Sequence, residues 1–307
     1  MNTASRTRPS KVLRWVGLLG AALLAGSLLS VGGARVPAEA ALGAIGTPGY
    51  LGDAESFAVV AGTEITNVIV LTTPQTVVNG DMAVSPGTVV TGFGPAQGVN
   101  NGTTYTGPTG TAAAAKLDAD AAWTNVDSYG TATALGVANL GDLNLGPGVY
   151  TPPVDANFGL TGTLTLTGDW DDIFVFKTPS FSTANNNSVV ALNGANPCNI
   201  YWRITSDASL GEGTSFVGTL LAGTSITVGS ETDVEGRLFA GIGNVTLIHD
   251  QIATPTCLTA PPAKPEIAAT GPADTLVGAG GALALLVLGT ILALTARRST
   301  MARSARR

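Results

Sequence analysis

The apolar and polar positions between residues 214 and 248 repeat after eighteen or nineteen residues, so that Phe216 falls on Val234 and Leu220 on Leu238. Within each copy, apolar residues alternate with Thr, Ser or Gly, the period-two pattern of a half-buried strand. One such copy cannot bury its apolar side alone, so the copies must stack around a shared core. Eighteen residues with tight turns make one roughly triangular circuit. The pattern therefore predicts a mainly β fold, a β-helix in which each copy forms one coil.

The repeat extends toward the N-terminus, although less regularly. Residues 200–210 align with residues 218–228, and the segments 172–195 and 161–168 have the pattern of further coils. An Ala-rich stretch interrupts it and predicts one long α-helix over about residues 111–129, ended by Gly130. Its apolar side is predicted to comprise Ala115, Leu117, Ala122, Trp123 and Val126. A disordered Ala-rich linker is the weaker alternative, because Trp123 and strand patterns surround it.

The first forty residues have the order of a secretory signal peptide. Basic residues precede an apolar run from Trp15 to Val31, and Ala38-Glu39-Ala40 then provides a small-x-small cleavage site. The alternative is a first transmembrane anchor, although the apolar run is short for a membrane span.

The C-terminal segment contains a second apolar run, over about residues 275–295, followed by a basic tail. Its length suffices to cross a bilayer, and the Arg-rich tail favours a cytoplasmic end. The order of pentapeptide, apolar helix and basic tail resembles a bacterial sortase cell-wall sorting signal of the LAxTG type. The matching residues are Ile267, Ala268, Ala269, Thr270 and Gly271. The resemblance implies cleavage after Thr270 and attachment to the envelope, and a plain membrane anchor is the alternative.

These features divide the chain into a signal peptide (residues 1–40), a β-helix domain (41–258), a Pro-rich linker (259–266) and a sorting signal (267–307). Residues 41–266 contain five basic and nineteen acidic residues, a net charge of −14. So acidic a surface repels phosphate, which argues against nucleic-acid binding. Cys198 and Cys257 form an even pair in an exported chain, which favours a disulfide, with two buried free thiols as the alternative.

The order of segments from LGDAESFAVVAGTEITN through the Ala-rich helix to CNIYWRI and VEGRLFAGIGNVTL resembles the microbial ice-binding protein family. The resemblance covers roughly residues 50–252. It implies a right-handed, discontinuous β-helix of triangular cross-section with the long helix packed alongside. It also implies an ice-binding face that carries a T-A/G-x-T/N type motif on successive coils.

Transferred position by position, that motif falls on residues 185–188, 212–215 and 230–233, with a preceding coil at residues 161–163. The predicted ice-binding residues are Thr161, Thr163, Asn185, Ser188, Glu212, Ser215, Ser230 and Asp233. Glu212, Glu231 and Asp233 depart from the family pattern. Carboxylates hold their own hydration shells strongly, which opposes a shared ice-like water layer.

Catalysis has little support in the sequence. A polysaccharide lyase needs several basic residues around an acidic sugar, and Lys177, Arg203 and Arg237 are few and scattered. The acids of GDWDD, residues 168–172, could serve glycoside hydrolysis or calcium binding, but a solvated turn explains them more simply. His249, the single histidine, has no nucleophile signature around it. We predict no enzyme activity, no cofactor and no metal.

The sequence thus predicts a monomeric, secreted and surface-attached protein that binds ice, with sortase and the cell envelope as its other partners. The alternative is a cell-surface adhesin for a polysaccharide or another repetitive surface, without ice activity.

Overall fold

The computed structural model describes residues 42–69, 75–94 and 97–260, and these residues form a β-helix with three faces. Parallel strands from successive coils pair along each face, as the repeat predicts. The sorting motif, the apolar run at 275–295 and the signal peptide lie outside the described residues.

Face A consists of strands on which the helix packs. Its strands are β1 (Phe57–Ala61), β4 (Asp81–Val84), β7 (Thr104–Thr106), β8 (Thr133–Ala134), β10 (Gly148–Thr151), β12 (Phe174–Thr178) and β14 (Ile200–Ile204).

Faces B and C are completed by shorter strands. Face B contains β2 (Glu64–Asn67), β5 (Val89–Thr91), β15 (Ala208–Leu210), β17 (Ile226–Val228) and β19 (Val245–Leu247). Face C contains β3 (Val77–Asn79), β6 (Val99–Asn100), β9 (Asn144–Leu145) and β20 (Gln251–Ala253).

Four longer strands turn a corner and belong to two faces. Strands β11 (Phe158–Thr167) and β13 (Phe181–Asn193) run from face B to face C, and β16 (Ser215–Ala222) and β18 (Asp233–Ala240) run from face C to face A. Short 3-10 turns occupy Gly52–Ala54 and Pro197–Asn199.

The coils do not stack in chain order. On face A the strands follow one another as β7, β4, β1, β18, β16, β14, β12, β10 and β8. The chain therefore starts in the middle of the stack, winds to one end, and crosses to the other end. From there it winds back until its last coil packs against its first. This break in coil order is the discontinuity that the family resemblance implies.

The crossing is made by α1 (Thr111–Ser128), which connects β7 at one end of the stack to β8 at the other. Eighteen residues span about 27 Å at ~1.5 Å per residue, most of the height of the stack. Most of its buried residues are alanines, with Ala115, Ala119 and Ala122 against face A. The helix can therefore lie close to the strands.

The predicted apolar side of the helix is wrong at one position. Leu117 is 58% exposed, whereas the neighbouring Lys116 is 8% exposed. The methylene stem of Lys116 packs along the sheet while its ammonium group pairs with Asp120. Apolar character alone misplaced the helix face because a long basic side chain can cover apolar surface.

First and last coils meet at a seam with one strand pair on each face. Val59 pairs with Leu238 on face A, and β19 and β20 pair with β2 and β3 on faces B and C. Arg237 reaches across the seam, where Nη2 donates to the Glu55 carbonyl at 2.9 Å. The disulfide predicted between Cys198 and Cys257 is confirmed, and it fixes the segment that follows the last coil.

A buried carboxyl group at the seam makes stability depend on pH. Asp250 is fully buried at the corner between faces B and C, and this burial raises its pKa to about 8, against hydrogen bonds from the Ile248 and Thr232 amides. The folded protein therefore holds this proton at pH values where the unfolded chain, with a pKa of ~3.9, has lost it. Stability should fall as the pH rises from about 4 to 8, by up to about 1.4 kcal/mol per unit.

Thermal unfolding between pH 5 and pH 8 measures this slope. We expect the melting temperature to fall over that range, and Asp250→Asn, which cannot ionise, to have a flatter profile whatever its absolute stability. An equally steep fall in the variant would assign the pH dependence to other groups.

Candidate functional site: a hydroxyl ladder on face B

Face B presents one outward position that is a hydroxyl on six consecutive levels. Side chains alternate along a strand, and on each of these strands one hydroxyl residue points away from the core. The pairing register joins these residues directly, from β5 through β2, β19, β17 and β15 to β13. We call this row the hydroxyl ladder; it consists of Thr91, Thr66, Thr246, Thr227, Ser209 and Ser182.

The hydroxyl ladder is regular because no bulge interrupts the pairings that build it. Adjacent levels lie ~4.8 Å apart, so six levels extend about 24 Å. A seventh level carries Gly159, which pairs with Ser182. Since the first two levels belong to the first coils and the third to the last coil, the ladder forms only when the seam is closed.

Four of the six ladder residues are exposed, Thr66 and Thr246 are half-buried, and three of the six hydroxyls are free to bond water. Thr227, Ser209 and Ser182 are exposed, and their hydroxyls make no hydrogen bond to any described residue. Thr246 Oγ1 accepts from Asn244 Nδ2 at 2.9 Å, and the Thr91 and Thr66 hydroxyls lie 3.4 Å apart. No charged residue interrupts the row.

Close packing beneath face B holds the ladder rigid. At five of the six levels the residues on either side of the ladder position are buried, for example Ile226 and Val228 beside Thr227. Behind them lies an aromatic cluster, in which Phe176 stacks on Trp202 with ring centroids 4.2 Å apart and Phe181 lies 4.9 Å from the same indole. Such close-packed interiors leave the surface above little freedom to deform.

Two carboxylates lie in the row that flanks the ladder on the side of face A. One is Glu64, and the other is Asp207, which accepts hydrogen bonds from the Ser225 amide at 3.0 Å and from the Thr224 hydroxyl. These hydrogen bonds, led by that of Thr224, lower the pKa of Asp207 and hold its carboxylate toward the corner loop. The ladder itself therefore remains uncharged.

Face C has a mixed outward surface. Its outward-facing row consists of residues paired level by level, namely Thr163, Val189, Ser215, Asp233 and Gln251. Asp233 and its neighbour Glu235 place two exposed carboxylates in the middle of this face. Face A, the third, lies under the helix.

Seven of the eight ice-binding residues predicted from the motif are accessible, and all lie at the corner between faces B and C or at the start of face C. Thr161, Asn185, Glu212 and Ser230 lie in the corner turns, and Thr163, Ser215 and Asp233 begin face C. The three motif copies therefore occupy one corner of the stack.

Ser188 does not fit the prediction. It is 1% exposed and donates to the Leu160 and Ala184 carbonyls at 2.6 and 2.9 Å, so its hydroxyl cannot contact an external surface. The longer turn around Asn186, whose φ is +54°, shifts the register by one residue. Val189, not Ser188, consequently pairs with Ser215.

The threonines that repeat most clearly in this motif are structural. Thr214 and Thr232 are buried, and both donate to the Gly211 carbonyl, at 2.6 and 3.0 Å. Thr214 also bonds the hydroxyl of Thr183 at 2.6 Å. The repeated Thr at this corner therefore satisfies buried backbone groups and leaves the ligand surface to other positions.

Sequence reasoning missed the hydroxyl ladder, although part of its signal was visible. Thr227 and Thr246 are the central residues of two segments that align in the repeat, ITV and VTL. Thr66 and Thr91 could not be found this way, because they join the ladder through pairings across the seam and within the first coils.

The basic residues of the described part of the chain all serve structural contacts. Lys177 donates at 2.8 Å to the Asp127 and Tyr129 carbonyls at the end of the helix, and Arg203 lies 3.8 Å from the centre of the Trp123 ring. Lys116 pairs with Asp120, and Arg237 with Glu55. Lys177, Arg203 and Arg237 therefore do not assemble the basic site that a polysaccharide lyase would need.

In the described ranges no cluster of three or more His, Cys, Asp or Glu side chains could hold a metal ion. Likewise, none of the helices found there combines the length and apolar character needed to cross a membrane.

Comparison with known proteins gives one consistent result. The model of the ice-binding-like family matches residues 59–253. An ice-binding protein of Nostoc sp. (strain HG1) is 37% identical over 234 residues, which cover 75% of this chain and 82% of that protein. The crystal structure of an ice-binding protein from an Antarctic biological consortium is similar with a TM-score of 0.60 at 34% identity, covering 69% of this chain and 92% of the other. The crystal structure of an ice-binding protein from the Antarctic ascomycete Antarctomyces psychrotrophicus is similar with a TM-score of 0.59 at 29% identity, covering 67% of this chain and 98% of the other.

Proposed function

This chain belongs to the ice-binding-like family, and on that premise we propose that it binds ice through the hydroxyl ladder of face B. The observation that carries the choice of face is the unbroken row of six hydroxyls in register. Face A is covered by α1, and face C carries Asp233 and Glu235 at its centre. Face B is the face that combines exposure, regularity and an uncharged central row.

The physical basis is a rigid surface that arranges water before contact. Each hydroxyl can hold a water molecule by a hydrogen bond, and each Thr methyl group presents an apolar site beside it. The row therefore offers hydrogen-bonding and apolar sites in alternation at a fixed spacing. A surface that is already ordered loses little conformational entropy on binding. The absence of charge along the row avoids hydration shells that would compete with an ice-like layer.

The corner residues predicted from the motif are the competing location for this contact. Thr161, Asn185 and Ser230 border face B, so a contact surface centred there would share an edge with the hydroxyl ladder. Glu212 and Asp233 bring carboxylates to that location, which supports placing the contact on the ladder.

Thermal hysteresis and inhibition of ice recrystallisation test the function itself. We expect the purified protein to slow recrystallisation and to shape growing ice crystals at micromolar concentration. If neither effect is present at high micromolar concentration, the protein is not an ice-binding protein in the functional sense, and the ladder is only a solvated strand surface.

We also propose that the protein is exported and attached to the cell surface through the segment that follows residue 266. The support is the sequence order of Ile267-Ala268-Ala269-Thr270-Gly271, an apolar run and a basic tail. Attachment would keep the ice-binding face at the cell envelope.

Replacing Thr270 with Ala tests whether a sortase acts. We expect the variant to accumulate as an uncleaved precursor in the membrane fraction, whereas the unchanged protein is found in the cell-wall fraction. The Ala269→Ser variant, which keeps the scissile Thr-Gly pair, is the control. Equal distribution of Thr270→Ala and unchanged protein would indicate a plain membrane anchor.

A further inference from the structure

A surface pocket of about 300 Å³ lies at the corner between faces C and A, opposite face B. Four separate parts of the chain contribute to it: the turn before the first coil, the loop at 170, the loop at 196–199, and the segment after the last coil. The Cys198–Cys257 disulfide and the hydrogen bond from the Leu258 amide to Asn196 Oδ1, 3.1 Å long, hold the last part in place. The pocket is therefore a fixed feature of the closed seam.

Aromatic rings form much of the pocket wall. Tyr50 and Tyr201 contact each other edge to face with centroids 5.5 Å apart, and both are almost fully buried. Trp170, by contrast, is 37% exposed although its backbone carbonyl is held by the Asn196 side chain. A partly exposed indole on a fixed loop offers a flat apolar surface to a ligand.

Two buried polar side chains in the pocket have atoms without partners among the described residues. Arg237, 4% exposed, uses Nε and Nη2 for Glu55, which leaves the donors of Nη1 unused. Asn199, also 4% exposed, donates through Nδ2 to the Trp170 carbonyl and leaves Oδ1 as an unused acceptor. Neither atom is one of the fully buried atoms that lack a partner, so both are accessible from the pocket and can bond a ligand that supplies both donors and acceptors.

The charges around the pocket narrow the ligand class. Arg237 disfavours a cation, while Glu55 at the rim and the net charge of the domain disfavour an anion. A purely apolar ligand would leave the Arg237 and Asn199 atoms unpaired. A neutral polyol with an apolar ring face satisfies all of these conditions.

We propose that this pocket binds one ring of a neutral hexose, such as an exposed unit of a surface polysaccharide. The apolar face of the ring stacks on Trp170, and its hydroxyls accept from Arg237 Nη1 and donate to Asn199 Oδ1. The volume is at the lower end of the range for small-molecule pockets, which suits a single ring. Because the pocket lies opposite the proposed ice-binding face, one molecule can hold a glycan and ice at the same time.

Titrations followed by NMR test the proposal on the purified protein. The probes are glucose, galactose, mannose and N-acetylglucosamine, with glucuronate as the charged comparison. We expect at least one neutral sugar to shift the Trp170 indole N–H resonance, identified by its loss in Trp170→Phe, together with backbone amide resonances of the pocket loops, which report binding in the variants. Trp170→Ala should weaken that sugar's binding by at least about tenfold, and Trp170→Phe, which keeps a stacking ring, by much less.

Control variants separate this site from the ice-binding face. Val154→Ala removes an exposed apolar side chain outside the pocket and should leave sugar binding unchanged, and Trp170→Ala should leave thermal hysteresis unchanged. The proposal is overturned if no neutral sugar shifts the resonance at tens of millimolar, if only glucuronate does, or if Trp170→Ala binds as well as the unchanged protein. Failure of ice activity alone would leave the sugar result standing.

Discussion

Replacing Thr227 with Tyr is expected to reduce thermal hysteresis at least tenfold, to near the level of an inactive protein. Thr227 is exposed at the fourth of six levels of the hydroxyl ladder, so a phenol ring there would project from the middle of face B. The ring would hold neighbouring hydroxyls away from a flat crystal surface. Because the position points to solvent, the free energy of unfolding should change by no more than about 0.5 kcal/mol. Thermal hysteresis at matched protein concentration measures the loss of activity, and the melting temperature from circular dichroism measures the change in stability.

Ser215→Tyr is the matched control on face C. It introduces the same ring at an exposed strand position of the neighbouring coil, within the set predicted from the motif. We expect it to retain most of the activity. The reverse result, with Ser215→Tyr inactive and Thr227→Tyr active, would place the contact at the corner between faces B and C and reject the hydroxyl ladder.

Sequence alone predicted the coils because the repeat and the packing share one cause. A coil that buries Leu220 must be followed by a coil that buries an apolar residue at the paired position, Leu238, so apolar character recurs at a nearly fixed spacing. The helix was predictable from its run of helix formers, and the disulfide from two cysteines in an exported chain. Local composition determines each of these features.

The choice of face could not be predicted in the same way. A Thr that bonds inward at a corner, such as Thr214, and a Thr that faces solvent, such as Thr227, both recur once in each coil. Only the register of the corner turns separates them, and one extra residue near Asn186 changes which side chain emerges. The motif therefore predicted residues that share one corner but could not distinguish its buried positions from its exposed ones.

The seam was also beyond sequence reasoning. The first and last coils share no repeat, yet their pairing completes the hydroxyl ladder and the pocket beside the disulfide. Contacts between residues about 180 positions apart depend on the whole stack having the right height. The residue pattern within one coil does not determine how many coils stack, so it cannot predict this pairing.

Trp202→Ala is expected to cause a large loss of stability without a direct effect on the ice-binding face. Trp202 is fully buried, stacks on Phe176 and contacts Phe181 and Phe216, whose centroids lie 4.9 and 5.3 Å from its own. The indole N–H also donates to the Val217 carbonyl at 3.0 Å, so truncation leaves both a cavity and an unpaired acceptor. A cost of about 3–5 kcal/mol is usual for such a change. For a domain of this size it lowers the melting temperature by about 6–20 °C.

Ile242→Ala removes a large apolar side chain that is 75% exposed, and it should change the melting temperature by less than about 2 °C. The comparison bears on function because thermal hysteresis is measured near 0 °C, where the destabilised Trp202→Ala protein should still be folded. We expect its activity per folded molecule to match that of the unchanged protein, since the cavity lies beneath the ladder and not in it. If activity falls while circular dichroism shows an intact fold, the aromatic cluster sets the flatness of face B. The rigidity of the core would then be part of the ice-binding mechanism as well as a source of stability.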